Sequence, residues 1–243
     1  MKYFYDAIFY QPLLNALIFF YNTVAFQDLG LAIIFLTVLV RLVLFPVFQK
    51  SVRHQAVMQR LQPKLKKAQE EHKHDREKQT QAMMALYREH RVNPFSGFFL
   101  LLIQLPILIA VYQIFLNSLK PDFLAGLYSF VGAPPTISHF FLGLIDLGRP
   151  SILMVGLAAI AQYFQGKLAL PKPEKGQEPT QAEQIGRRMV FIGPLITLGI
   201  FYNLPAAVSL YWIVTSAFSV LQQIIVNRQL AHGELGTPHK TTR

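Results

Sequence analysis

The stretch Leu29–Phe48, LGLAIIFLTVLVRLVLFPVF, says most about the fold of this chain. It is about as long as the roughly 20 apolar residues that an α-helix needs to cross the hydrocarbon core of a bilayer. Arg41 is its one charged residue, and a guanidinium at such a depth costs about 2.5–3.5 kcal/mol on the insertion scale. The fold must therefore provide Arg41 with water or a partner, which makes it the first candidate for a functional site.

Four further apolar runs are present, and 52% of the 243 residues are hydrophobic. This composition predicts an all-α integral membrane protein rather than a soluble domain with a large core. The five predicted transmembrane helices lie near residues 29–48, 98–118, 151–170, 188–204 and 206–226. The chain has no cysteine, which excludes a disulfide framework and a thiolate metal site. No motif indicates a cofactor or a metal.

Lysine and arginine are unevenly distributed between these helices. Eleven lie in residues 49–97, five between Lys167 and Arg188 and three after residue 226, against Lys2, Lys120 and Arg149 on the opposite side. By the positive-inside rule the first three segments are cytoplasmic. We therefore expect a multi-pass protein of the plasma (inner) membrane, with the N-terminus outside and the C-terminus in the cytoplasm. Topology explains most of the net charge of +10, and nothing indicates specific nucleic-acid binding.

The segments outside the five-helix core, residues 29–228, have their own patterns. In residues 1–28, the apolar run 13–26 is too short to span and predicts an extracytoplasmic helix along the interface. An outward extension of the first span is the alternative. Residues 50–95 predict a cytoplasmic hairpin of two helices, and residues 229–243 a short cytoplasmic tail. The apolar stripes of the hairpin are Val57, Leu61 and Leu65 on one helix and Met83, Leu86 and Tyr87 on the other.

The depth of Arg41 favours a cavity over snorkelling. Seven residues separate it from the predicted end of its helix at Phe48, which is about 10 Å at 1.5 Å per residue. A side chain that snorkels to the headgroups usually lies within about a turn of the interface. We therefore expect a water-filled groove that opens to the cytoplasm. Pro46 should kink this helix or mark its last turn.

Polar residues in the other spans support such a groove. The last span carries a stripe at spacings of 3 and 4 residues, which places its members on one face of a helix. Small-residue helix packing is the alternative explanation for the serines, but buried glutamines need hydrogen-bond partners or water. The predicted groove residues are Arg41, Gln104, Gln162, Gln165, Ser209, Trp212, Ser216, Ser219 and Gln223.

The spans lack the groups that other functions need. They contain no Asp or Glu, whereas a proton-coupled carrier usually needs an intramembrane carboxylate or histidine relay. They also contain no histidine to serve as the base for a nucleophilic serine, and no nucleotide-binding or metalloprotease motif is present. We therefore expect no catalytic residue, and Arg41 is left to attract a transient acidic group.

Four local motifs, in order, resemble the YidC family of membrane protein insertases, which includes mitochondrial oxidase-assembly and chloroplast thylakoid relatives. They are LAIIFLTVLVRLVLFPV with Arg41; MQRLQPKLKK followed by MALYREHRVNP; NPFSGFFLLLIQLPILIAVYQ with Asn93, Pro94, Gly97, Gln104 and Pro106; and LPAAVSLYWIVTSAFSVLQQ with Leu204, Pro205, Tyr211, Trp212, Gln222 and Gln223. The resemblance covers roughly residues 12–228.

The resemblance implies a membrane protein insertase and chaperone that acts alone or beside the Sec translocon. The resemblance also implies that Arg41 draws an acidic or polar substrate segment into the groove and that the apolar helix of the substrate then moves into lipid. The implied partners are newly made membrane proteins, the Sec translocon, the ribosome and anionic lipid headgroups. A small-anion transporter would also explain Arg41, but not the hairpin; a membrane-embedded enzyme lacks a nucleophile–base pair.

Overall fold

The computed structural model describes residues 2–93, 95–118, 120, 122–170 and 181–231, and most of these are helical. The predicted all-α class is therefore confirmed. The linker 171–180 and the tail from residue 232 onward lie outside the described residues. The helices are α1 (Lys2–Tyr5), α2 (Gln11–Thr23), α3 (Leu29–Val43), α4 (Phe45–Glu71), α5 (Arg76–Glu89), α6 (Ser96–Asn117), α7 (Ile152–Ala169), α8 (Gln181–Phe201) and α9 (Ala206–Ala231).

Three of these helices are long and apolar enough to cross a membrane, over Phe98–Asn117, Ile152–Ala169 and Ala206–Gln229. The bent pair α3 and α4 makes a fourth if it is counted as one span. The apolar part of α8, Val190–Phe201, is shorter. The five predicted spans thus correspond to five apolar helical segments of unequal length within the described residues.

The first predicted span bends by 69° between α3 and α4. Leu44, with φ −88° and ψ 3°, separates the two helices. Pro46 lacks an N–H and its ring would clash with the carbonyl of residue 42 in a continuous helix, whereas the first turn of a new helix tolerates it. The expected kink at Pro46 is therefore present, and α3 ends at Val43.

The N-terminal segment is helical before Pro12 as well, which the sequence analysis did not predict. A π-helix, Asp6–Tyr10, joins α1 to α2, and Pro12 lies in the first turn of α2, where its missing N–H is tolerated. The hydroxyl of Tyr5 donates to the Pro106 carbonyl at 3.5 Å, so the segment begins beside the middle of α6. A tight turn at Phe26 and Gln27, both with positive φ, separates α2 from α3 and contradicts the alternative of one extended span.

The polar segment after the bend forms the predicted hairpin of α4 and α5. The two apolar stripes meet in one cluster, which contains all six residues predicted for it, together with Met58 and Val92. The turn between the two helices is short, because α4 ends at Glu71 and Asp75 caps α5 by accepting from the Lys78 N–H at 3.1 Å.

The segment between α6 and α7 contains the described β-structure, a hairpin of β1 (Phe140–Phe141) and β2 (Ile145–Asp146). Strands of two residues are too short to show an alternating pattern in the sequence, so this element was missed. The segment is docked on the helices: the N–H of Ala207 donates to the Leu147 carbonyl at 3.1 Å and that of Ala206 to the Arg149 carbonyl at 2.9 Å. These bonds satisfy N–H groups that the start of α9 would leave without partners.

The main core lies where α2, α3, α6 and α9 meet, and α9 is also packed against α4 and α7. Helix α8 is joined to this core mainly through α7. Helix α9 is therefore the central element, and its different faces have different neighbours.

Candidate functional site

Arg41 is buried, with 4% of its surface exposed, and it lies in the last turn of α3. The distance of seven residues used in the sequence analysis assumed a straight helix to Phe48 and was wrong, because the bend ends α3 at Val43. The side chain nevertheless does not snorkel to the surface. The helix dipole at the carboxyl end of α3 favours a cation at this position. The Nη1 atom of Arg41 nevertheless has no hydrogen-bond partner.

Arg41 is linked to side chains of three other helices, directly to Phe48 and Tyr211 and through Tyr211 to Gln104, and we call the four residues the Arg41 cluster. The bend brings Phe48 of α4 back over Arg41, with the guanidinium carbon 4.2 Å from the ring centroid. The buried Tyr211 of α9 lies close enough to interact electrostatically with Arg41. The side-chain amide of Gln104, on α6, donates to the Tyr211 hydroxyl. The structure thus brings together Arg41 and Gln104 of the predicted groove residues.

The predicted stripe on α9 lies on another face of that helix. At 3.6 residues per turn its centre is roughly 120° around the axis from Tyr211. Trp212 contacts Phe201 of α8 edge-on, with centroids 5.4 Å apart, and belongs to a cluster that includes Val155 of α7. Gln223 donates to Asn227, which in turn donates to the Leu168 carbonyl of α7 at 3.2 Å. The stripe therefore faces α7 and α8 and not Arg41.

The remaining predicted residues are also placed away from the cluster. Gln162 accepts a hydrogen bond from Thr197, between α7 and α8. Gln165 is partly exposed on α7. Ser209, Ser216 and Ser219 are buried within the stripe, and Ser219 donates to the Thr215 carbonyl of its own helix at 3.0 Å. For the serines, the alternative of small-residue packing agrees with this arrangement.

A second set of buried polar groups extends from the cluster along the seam between α4 and α9. Phe45 meets Phe218, and Val52 meets Val226 further along. Gln49 and Gln222 each lie four residues after one of the two phenylalanines, so they share one level of the seam. Both amide atoms of Gln222 and Oε1 of Gln49 are buried without a hydrogen-bond partner.

Four residues of the site were not predicted from the sequence, namely Tyr211, Phe48, Gln49 and Gln222. Tyr211, Thr215 and Gln222 share a helical face, a pattern that the sequence contains. The stripe that includes the serines is the longer repeat, and it predicts a different face of the same helix. Only the bend between α3 and α4 and the packing of the helices show which of these two faces of α9 lies beside Arg41.

The Arg41 cluster can hold an anionic group, because none of its four residues carries a negative charge. Within the described residues Arg41 makes no ion pair, and no group of three or more metal-ligating side chains is present there. A buried donor without a partner costs about 1–3 kcal/mol, and more when it is charged. The site is therefore suited to water or to a transient acidic or polar segment.

Comparison with known proteins identifies relatives over almost the whole chain. Residues 19–233 match the family model of the 60Kd inner membrane protein. A membrane protein insertase YidC of Geobacter sulfurreducens is 30% identical over 94% of this chain and 39% of its own length. One from Cupriavidus taiwanensis is 34% identical over 87% of this chain and 34% of its own length. The chain therefore spans less than half the length of these relatives.

The fold has a solved counterpart. A crystal structure of an active YidC insertase, with its first transmembrane domain resolved, superposes with a TM-score of 0.59 at 25% sequence identity. The match covers 89% of this chain and 45% of that chain.

Proposed function

Because this chain belongs to the 60Kd inner membrane protein family, we propose that it inserts other membrane proteins into the bilayer and helps them fold. The relatives that carry the name membrane protein insertase support this function. It is a multi-pass protein of the inner membrane. The excess of Lys and Arg in residues 49–97 supports a cytoplasmic hairpin, an outside N-terminus and a cytoplasmic C-terminus.

The burial of Arg41 without a partner for Nη1 is the observation that carries the proposal. The five predicted spans contain no carboxylate, so this cation attracts acidic or polar groups from outside the fold. A substrate segment that reaches the Arg41 cluster has already crossed part of the membrane thickness. The electrostatic attraction offsets part of the cost of removing that segment from water.

Hydrophobic burial of the substrate helix drives the rest of the reaction. The apolar helix leaves the cluster along α6 and α9 and enters lipid, which is favourable by about 25 cal/mol for each Å² of apolar surface removed from water. The step needs no nucleotide and no covalent intermediate. The hairpin of α4 and α5 receives the substrate, and the Sec translocon and the ribosome are the partners that we propose for it.

The test uses the purified chain in liposomes and two small clients that differ only in their translocated segment, one acidic and one neutral. Protease protection measures insertion. We expect Arg41→Ala to reduce insertion of the acidic client at least about tenfold, which corresponds to 1.4 kcal/mol. Arg41→Lys should retain most of the activity, because it keeps the charge.

The matched control is Arg149→Ala, which removes an exposed arginine paired with Asp146 at 3.2 Å and should leave insertion unchanged. Equal insertion by Arg41→Ala and the unchanged protein would refute the role of charge. If the unchanged protein inserts neither client but conducts anions, the transporter alternative is correct instead.

A further inference from the structure

A shallow groove of about 300 Å³ lies between α7 and α8, away from the Arg41 cluster. We call it the α7–α8 groove. The two helices approach closely beside it, because a Cβ atom on Gly166 would lie 3.5 Å from the Val190 side chain. The lining is almost wholly apolar, and it consists of Ala159, Ile160, Tyr163, Phe191, Pro194 and Leu195.

Three cations lie at one end of this groove. The ammonium of Lys167 is 5.8 Å from the centroid of the Tyr163 ring, so it lies directly over a lining residue. Arg187 and Arg188 are exposed on α8, about one turn before Phe191. Within the described part of the chain none of the three makes an ion pair. The site therefore combines an apolar trough with a positive end.

We propose that the α7–α8 groove binds an anionic phospholipid, with an acyl chain in the trough and the phosphate between Lys167 and Arg188. Basic pockets between transmembrane helices favour such headgroups electrostatically. The volume is at the lower end for a ligand site. It is too small for a helix, whose diameter with side chains is about 10–12 Å. The proposal does not depend on the insertase activity.

Quenching by brominated lipid chains tests the site, because Trp212 is the one tryptophan of the chain. The reporter protein carries Phe191→Trp together with Trp212→Phe, in vesicles of phosphatidylcholine. A fixed fraction of the lipid is brominated phosphatidylglycerol in one sample and brominated phosphatidylcholine in the other. We expect phosphatidylglycerol to quench at least about threefold more effectively.

Two controls locate the effect. The double variant Lys167→Gln with Arg188→Gln should remove the preference, whereas Arg228→Gln, which removes another exposed cation, should keep it. A reporter on a different lipid-facing helix, Ile109→Trp with Trp212→Phe, should show no headgroup preference.

Equal quenching by the two lipids at position 191 overturns the proposal, and so does a preference that survives the double variant. If the reporter protein does not fold, native mass spectrometry of the chain with Trp212 in place decides. The site is supported if the protein retains phosphatidylglycerol and the double variant loses it. The site is refuted if the protein retains phosphatidylglycerol and phosphatidylcholine equally.

Discussion

The Arg41 cluster is held together by contacts that each depend on one side chain. Arg41 has the Phe48 ring on one side, and Tyr211 links it to Gln104. A cation over an aromatic ring gains about 0.5–2 kcal/mol, depending on desolvation. This gain does not replace the missing partner of Nη1, so that donor stays available to a hydrogen-bond acceptor.

Tyr211→Phe should destabilise the protein by about 1 kcal/mol, at the lower end of the range for a buried polar group that loses its partner, because Gln104 is only partly buried. For a chain of this size the melting temperature should fall by about 2–4 °C. Tyr202→Phe is the control, since Tyr202 is 59% exposed. Identical melting of the two variants would show that the Tyr211 hydroxyl contributes nothing to stability.

At the scale of secondary-structure elements, the β-hairpin packs closely against α3. A Cβ atom added to Gly30 would lie 2.1 Å from an atom of the Phe141 ring, so only glycine lets β1 approach α3 in this way. Asp28 strengthens the same junction, because its side chain caps α3 and also accepts from the Leu142 N–H at 2.5 Å.

Gly30→Ala should therefore destabilise the protein by about 1–3 kcal/mol, the usual cost of overpacking. Gly199→Ala is the matched control within a helix: its Cβ meets nothing within 4 Å, and it should stabilise by up to about 1 kcal/mol. Thermal unfolding compares the two. If Phe141→Ala fails to reduce the loss in the Gly30→Ala background, the steric explanation is incorrect.

The N-cap of α5 predicts a pH dependence for the hairpin. The backbone and side chain of Lys78 donate to Asp75 and hold the pKa of that carboxyl below its ordinary value of 3.8. The cap is therefore fully formed above about pH 3.8 and is lost as the pH falls through the lower pKa of the folded state.

The protection factors of the α5 amides, which are exchange rates corrected for the intrinsic effect of pH, should accordingly fall with acid in the unchanged protein. Asp75→Asn keeps a capping oxygen without a titrating group, so its protection factors should lack this acid dependence. The same acid response in both proteins would assign the effect to another group.

At the scale of the whole molecule, the absence of cysteine makes the topology directly measurable. Lys73→Cys places a single thiol in the turn between α4 and α5, and Ala133→Cys places one between α6 and α7; both positions are exposed. A membrane-impermeant maleimide added to intact cells should label only position 133. Labelling of position 73 instead would invert the proposed orientation.

The sequence predicted the fold class and most element positions because each depends on local chemistry. Apolar runs and the stripes of the hairpin both act within a few residues along the chain. Of the site, Arg41 was identified because a charge in an apolar run is unusual in any fold. Gln104 was identified as a polar residue in a span, without its partner.

The tertiary structure alone decided which residues surround Arg41. The 69° bend ends α3 early and brings Phe48 over the guanidinium, whereas a straight helix would separate residues 41 and 48 by about 10 Å along its axis. Likewise, two faces of α9 carry polar residues, and only helix packing directs Tyr211 towards Arg41 and the serines towards α7. Periodicity shows which residues share a face, but the neighbour of that face is set by contacts between residues far apart in the chain.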